Sequence, residues 1–136
     1  MKKDQLGFES ADQVESVYYE AFMHGDADVM AAIWSRQQAS CIHPGSGLIG
    51  TFEAVVRSWR HILSPGTEMK MDYRLLSKNQ DDEVVVHIVE EKIHMIDQQP
   101  VIVIATNIYK KCTPGWQIIL HHGSVVQSPV PVQQIN

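Results

Sequence analysis

Seven histidines are spread through 136 residues. They are the first candidates for chemistry, because an imidazole with an ordinary pKa near 6.5 gains and loses a proton around neutrality. His43 stands out by its place. In residues 40–50, SCIHPGSGLIG, a strand-like run ends in this histidine and a proline-glycine bend follows it. Such a bend could hold the ring inward as a base at the mouth of a pocket, or the ring could bond a nearby carbonyl or carboxylate and fix the bend. His121 and His122 are neighbours, so on a strand they point to opposite faces and cannot chelate one ion together without a bulge. A site combining His43, one of that pair, and His87 or His94 lacks paired spacing such as H-x-x-x-H, and no metal is expected. Cys41 and Cys112 are far apart, with no C-x-x-C, and read as two reduced thiols. No G-x-S-x-G, Walker loop or dinucleotide fingerprint occurs, so no cofactor is expected.

Those side chains need a frame. The length suits one compact domain and not two, read as residues 1–136 with extended tails at 1–9 and 128–136. Hydrophobic residues make up 44%, charged residues 20%, and the net charge of -5 gives no electrostatic reason to bind nucleic acid or an anionic membrane. No apolar run approaches the roughly twenty residues of a membrane helix. The start MKKDQLGFES lacks the apolar core of a signal peptide, and a cytoplasmic location is expected.

Ser10 with Gln13 reads as a capping box, and Val14, Val17, Tyr18, Ala21 and Phe22 recur at helical spacing until His24-Gly25 closes a first helix. Asp26 or Asp28 can cap a shorter second helix, VMAAIWS, and Thr51 a third, FEAVVRSWRHIL, broken by Ser64-Pro65-Gly66. From Glu68 onward the pattern becomes strands: MKMDYRLLS, EVVVHIVEEKIHMI, VIVIATNIYKK and WQIILHHGSVV, separated by turn residues. Helices followed by successive antiparallel hairpins indicate α+β, with the helices on one face of a bent sheet. VVVHIV and VIVIA carry apolar residues at both parities. Helices on one side cannot cover both, so a homodimer burying sheet on sheet is expected. The alternative is that β-branched residues merely satisfy strand propensity on a half-solvated face.

The order of elements and four stretches, YYEAFMHGD, CIHPGSGLIGTFEAVVRSW, QQPVIVIATNIY and WQIILHHGS, resemble the SnoaL-like and ketosteroid-isomerase-like families of the nuclear transport factor two-like superfamily, over roughly residues 10–126. The resemblance implies a cone-shaped α+β fold with three N-terminal helices packed on a strongly curved, mainly antiparallel sheet. It also implies positions. The isomerases place a tyrosine seven residues before the glycine ending the first helix, which is Tyr18 here. Their base aspartate before a proline is His43, and their second donor, seven residues beyond a hairpin proline, is Asn107. Two of three positions are substituted, so steroid isomerisation is not implied.

The substitutions leave coherent acid/base chemistry, with His43 as base and Tyr18 and Asn107 as donors to a developing oxyanion. Tyr18 also fits a core stripe with Val14 and Phe22, and Asn107 a buried structural network. Trp34, Trp59, Tyr109 and His122 are ligand-binding candidates, although the two tryptophans could simply fill the cone. The W…H-H-x-S ending is similar to the association domain of calcium/calmodulin-dependent kinase, a non-catalytic member. Two functions therefore stay open: a cone holding a small organic ligand, with metal-free isomerase, dehydratase or cyclase chemistry, or a dimeric association module with a filled cone. A large pocket lined by His43 separates the first from the second.

Overall fold

The computed structural model describes residues 7–64 and 69–127. The expected tail at 128–136 and the Pro65-Gly66 break lie outside them. Helix α1, Ala11–His24, begins where Ser10 accepts from the Gln13 amide at 3.1 Å, while the Gln13 side chain takes the Glu9 amide at 2.9 Å. It ends at Gly25, whose φ of 67° is left-handed and costs glycine least. Helix α2 covers Ala27–Ala32, capped by Asp26. It ends earlier than the expected VMAAIWS because β5 captures the chain. The Ile33 carbonyl accepts from Ile118 at 3.0 Å and the Ser35 amide donates to the Ile118 carbonyl at 3.1 Å. A three-residue strand β1, Ser40–Ile42, precedes α3, Phe52–Ile62, which is capped by Thr51 as expected.

Four long strands follow: β2, Lys70–Gln80; β3, Val84–His94; β4, Val101–Lys111; and β5, Trp116–Val125. Consecutive ones pair antiparallel in the order β1-β5-β4-β3-β2, and β1 joins β5 in parallel. The sheet curls round the helices without closing, so the α+β architecture stands. Phe8, in the expected N-terminal tail, bridges Trp116.

Alternation along the strands sorts side chains into two layers. Val85, His87, Val89 and Glu91 of β3 and Val103, Ala105, Asn107 and Tyr109 of β4 are buried on the side facing the helices. Val86, Ile88, Ile104, Thr106 and Ile108 sit on the outer side, half-buried. Asn107 therefore has the inner parity with Val103 and Ala105. The core between the layers is aromatic: Tyr18, Tyr19, Trp34, Trp59 and Tyr109 are almost wholly buried. Among the described residues, no helix is long and apolar enough to cross a membrane.

Candidate functional site

Two consecutive tyrosines of α1 enter the core because its buried face is broad. Tyr18 lies edge-on against Trp59 of α3, with ring centroids 5.6 Å apart, and beside His121 at 5.3 Å. Its hydroxyl is buried without a hydrogen-bond partner. Tyr19 goes the other way. Its hydroxyl donates to Glu91 at 2.6 Å and its oxygen accepts from the Asn107 amide at 3.0 Å. Asn107 Oδ1 in turn meets Nδ1 of His121 at 2.6 Å. A continuous chain thus crosses the inner face of β3, β4 and β5.

The direction of every proton in that chain follows from its members. Asn107 Nδ2 can only donate, so Oδ1 faces the imidazole and His121 Nδ1 must carry its hydrogen. The lone pair is left on Nε2. Burial holds His121 down to about 3, with smaller contributions from His43 and His122. Its ring is therefore neutral across the ordinary pH range. Burial pushes the Glu91 carboxyl up to about 7, the Tyr19 hydrogen bond opposes this, and the Glu15 charge adds to it. Burial also raises Tyr18 and Tyr19 well above the usual phenol value.

A second cluster lies nearer the start of α1. Oε2 of Glu15 accepts from the Tyr109 hydroxyl at 2.6 Å and lies 2.8 Å from His87 Nδ1. Both strand residues share the inner parity of β3 and β4, and Glu15 is one helical turn from Tyr19.

His43 sits half-buried where the chain leaves β1. Its carbonyl accepts from the amide and hydroxyl of Ser46, Gly45 takes a φ of 79°, and Pro44 packs over Gly123. The imidazole stands edge-on to Trp59 at 5.1 Å, with Nε2 3.0 Å from Ser58 Oγ. Ser58 spends its own hydrogen on the Val55 carbonyl at 2.8 Å, so His43 Nε2 is the donor and Nδ1 carries the lone pair. Burial lowers the His43 pKa. The adjacent Cys41 thiol, 3.7 Å from the ring, is pushed by burial up to about 12, with the Trp59 indole acting against it. It is not a nucleophile.

The sequence candidates are thus brought together in part. Tyr18, His43 and Trp59 form one aromatic cluster with His121, and Asn107 joins it through that histidine. Tyr109 belongs to the Glu15 cluster, and Trp34 packs at the end of α2 beside β5. His122 is exposed on the outer face, opposite Thr106; the inward histidine is His121. Sequence reading passed over Tyr19, Glu15 and Glu91, and weighed His121 only as a metal ligand while placing His122 among the ligand-binding candidates. The available signal was a carboxylate at each of two inward positions, Glu15 on the stripe with Val14 and Tyr18, and Glu91 at the parity of Val85 and Val89.

An open groove of about 840 Å³ is lined by Phe22, Ile62, Leu63, Met69, Lys70, Asp72, His94, Met95, Ile96 and Gln98. Its walls are mostly apolar, and Asp72 and His94 pair between the adjacent strands β2 and β3 at 3.1 Å. Tyr18, His43 and Asn107 do not line it. No group of three or more His, Cys, Asp or Glu residues suited to a metal ion occurs among the described residues.

Comparison with known proteins agrees with this architecture. Residues 12–128 match the family model of the SnoaL-like domain, and the chain belongs to that family. A protein of Thiobacillus denitrificans, assigned as a calcium/calmodulin-dependent protein kinase type II association domain, superposes with a TM-score of 0.83 at 28% identity, covering 90% of this chain and 100% of its own. A protein of Streptomyces avermitilis, assigned as a dehydratase of the NTF2-like family, gives 0.75 at 20% identity over 86% and 94%. One of Parabacteroides distasonis, assigned as a ketosteroid isomerase, gives 0.72 at 17% over 93% and 96%. No curated protein sequence matches the chain.

Proposed function

We propose that this SnoaL-like chain is a non-catalytic association module, two copies of which pair through the outer faces of their sheets. The observation that carries the reading is the stripe Val86, Ile88, Ile104 and Ile108, half-buried in one chain and left uncovered by the helices. An apolar stripe at the middle of a sheet gains most from a twofold partner presenting the same stripe. The likeness to an association domain supports the same reading. So does the interior, where Asn107 spends both ends of its amide on Tyr19 and His121 and His43 is bonded to Ser58. Neither is directed at the groove, which leaves acid/base catalysis by His43, Tyr18 and Asn107 with less support. Light scattering at micromolar concentration tests the proposal. The wild type should show a dimer mass and Ile104→Lys a monomer with unchanged circular dichroism, whereas a monomeric wild type overturns it.

The groove favours a second role alongside the first. Its volume and its walls of Phe22, Leu63, Met69 and Met95 suit a small, mainly apolar organic ligand. A metabolite screen by thermal shift should then find ligands that stabilise the wild type and not Leu63→Asp. Hits that act equally on both proteins would remove the groove from the account.

A further inference from the structure

The apolar wall of the groove is unevenly covered. Phe22 and Leu63 are buried, whereas Met95 and Ile96, in the turn between β3 and β4, are 45% and 89% exposed. An isoleucine so exposed at the rim of an apolar groove is surface that a ligand can take out of water. Lys70, Asp72, His94 and Gln98 supply the polar part of the lining, and the bonds they already make decide what charge a ligand can bring.

Asp72 and His94 are engaged with each other. His94 Nε2 lies 3.1 Å from Asp72 Oδ2, and the same aspartate stands opposite Lys92 in register. Asp97, in the turn, does not line the groove. Lys70 is opposite His94 in the β2–β3 ladder and, among the described residues, has no hydrogen bond or ion pair. The lining thus holds a cation without an acceptor, and its carboxylate already has a donor.

We propose that the groove takes amphipathic organic acids, with the apolar body lying on Phe22, Leu63, Met69 and Met95 and a single carboxylate accepting from Lys70. The proposal rests on the reading of the groove as a ligand site and adds the charge of what it holds. An alcohol with the same body covers the same surface but leaves the ammonium to water, and an amine sets a second cation beside it. A phosphate ester carries close to two charges near neutrality and would need a further cation free to meet it. Apolar burial supplies most of the affinity. The ion pair, at an exposed lysine, supplies discrimination.

Octanoate, octan-1-ol and octylamine share one apolar chain and differ in charge. In isothermal titration at neutral pH and low salt, octanoate should bind the wild type most tightly and octylamine most weakly. Lys70→Gln, with unchanged circular dichroism, should weaken octanoate about fivefold, the upper end for an exposed ion pair, and leave octanol as it was. Lys70→Arg should restore octanoate binding, and Lys111→Gln, at the other end of β4, should change nothing. The ε-methyl signals of Met69 and Met95 should move as octanoate is added. Equal affinities for octanoate and octanol in the wild type, or an octanoate affinity that survives Lys70→Gln, would overturn the preference for acids while leaving the groove as a site for neutral molecules. Binding that leaves both methyl signals in place, or no binding of any of the three, would overturn the groove reading and the proposal with it.

Discussion

Replacing Glu91 by Gln should uncover a pH dependence that the wild type conceals. The carboxyl is held at about 7 in the fold against an ordinary 4.5, a displacement of about 2.5 pH units and hence about 3.4 kcal/mol. Because its folded value is raised, its contribution is fully present below pH 4.5 and is lost as pH rises through 7. His121 has the opposite sign. Its folded value of about 3 lies below the ordinary 6.5, so its contribution is present above pH 6.5 and lost as pH falls toward 3. Between 4.5 and 6.5 the two slopes, each about 1.4 kcal/mol per pH unit, cancel. Glu91→Gln removes the falling slope and keeps an amide oxygen for the Tyr19 hydroxyl. Urea unfolding of wild type and variant at a series of pH values isolates the difference, since other titrating groups are common to both. The difference in stability, variant minus wild type, should grow by about 2 kcal/mol from pH 4.5 to 6.5. A difference that stays constant over that window would refute the reasoning, for Glu91 would then be ionised or neutral alike in both folded and unfolded chains.

Glu15→Ala should lower stability by about 3 kcal/mol or more in denaturant unfolding, because it leaves the buried Tyr109 hydroxyl and His87 Nδ1 without their common acceptor. Glu15→Gln should cost clearly less, and equal losses would mean that the carboxylate is not the acceptor. His43→Gln removes one bond to Ser58 and an edge contact with Trp59, so a melting experiment should register about 1 kcal/mol. A loss well above 2 kcal/mol would identify His43 as a structural pillar. Trp59→Ala strips the ring shared by Tyr18, Phe22, His43 and His121 and should cost about 3–5 kcal/mol. A smaller loss would indicate that the cluster collapses to fill the space.

What could be read from the sequence was whatever neighbouring residues decide. Ser10, Gln13 and Gly25 delimit α1 because cap geometry is local, and β4 matches VIVIATNIYKK because turn residues bound the run on both sides. The strand period groups Asn107 with Val103 and Ala105, but with apolar residues at both parities the sequence does not tell which group faces the helices. Contacts between distant segments were not legible. Nothing within SCI announces a parallel pairing with β5, and nothing near Trp34 says that Ile118 ends α2 three residues early. The histidine pair shows the point most sharply. Counted by twos from Trp116 and Ile118, His122 would face the helices. The register shifts by one at Ile119, between the pairs Tyr109–Ile118 and Ile108–Leu120, and brings His121 inside instead. On α1 the helical repeat admits Tyr18 and Tyr19 together, and only the placement of Glu91 and Asn107 decides which of them bonds.

The two edges of the sheet carry a consequence for solubility. β1 is three residues long, and its free side is taken by Ile49, whose amide and carbonyl both pair with Cys41 at 2.9 Å. At the far edge β2 shifts register between Leu75 and Ser77 and presents Lys70, Arg74 and Lys78 along its length. A short, blocked strand on one side and a kinked, cationic strand on the other are poor templates for an incoming strand. Leu75 and Leu76, 45% and 42% exposed, would otherwise invite one. Fibrillar growth by edge addition is therefore disfavoured at both ends of the sheet.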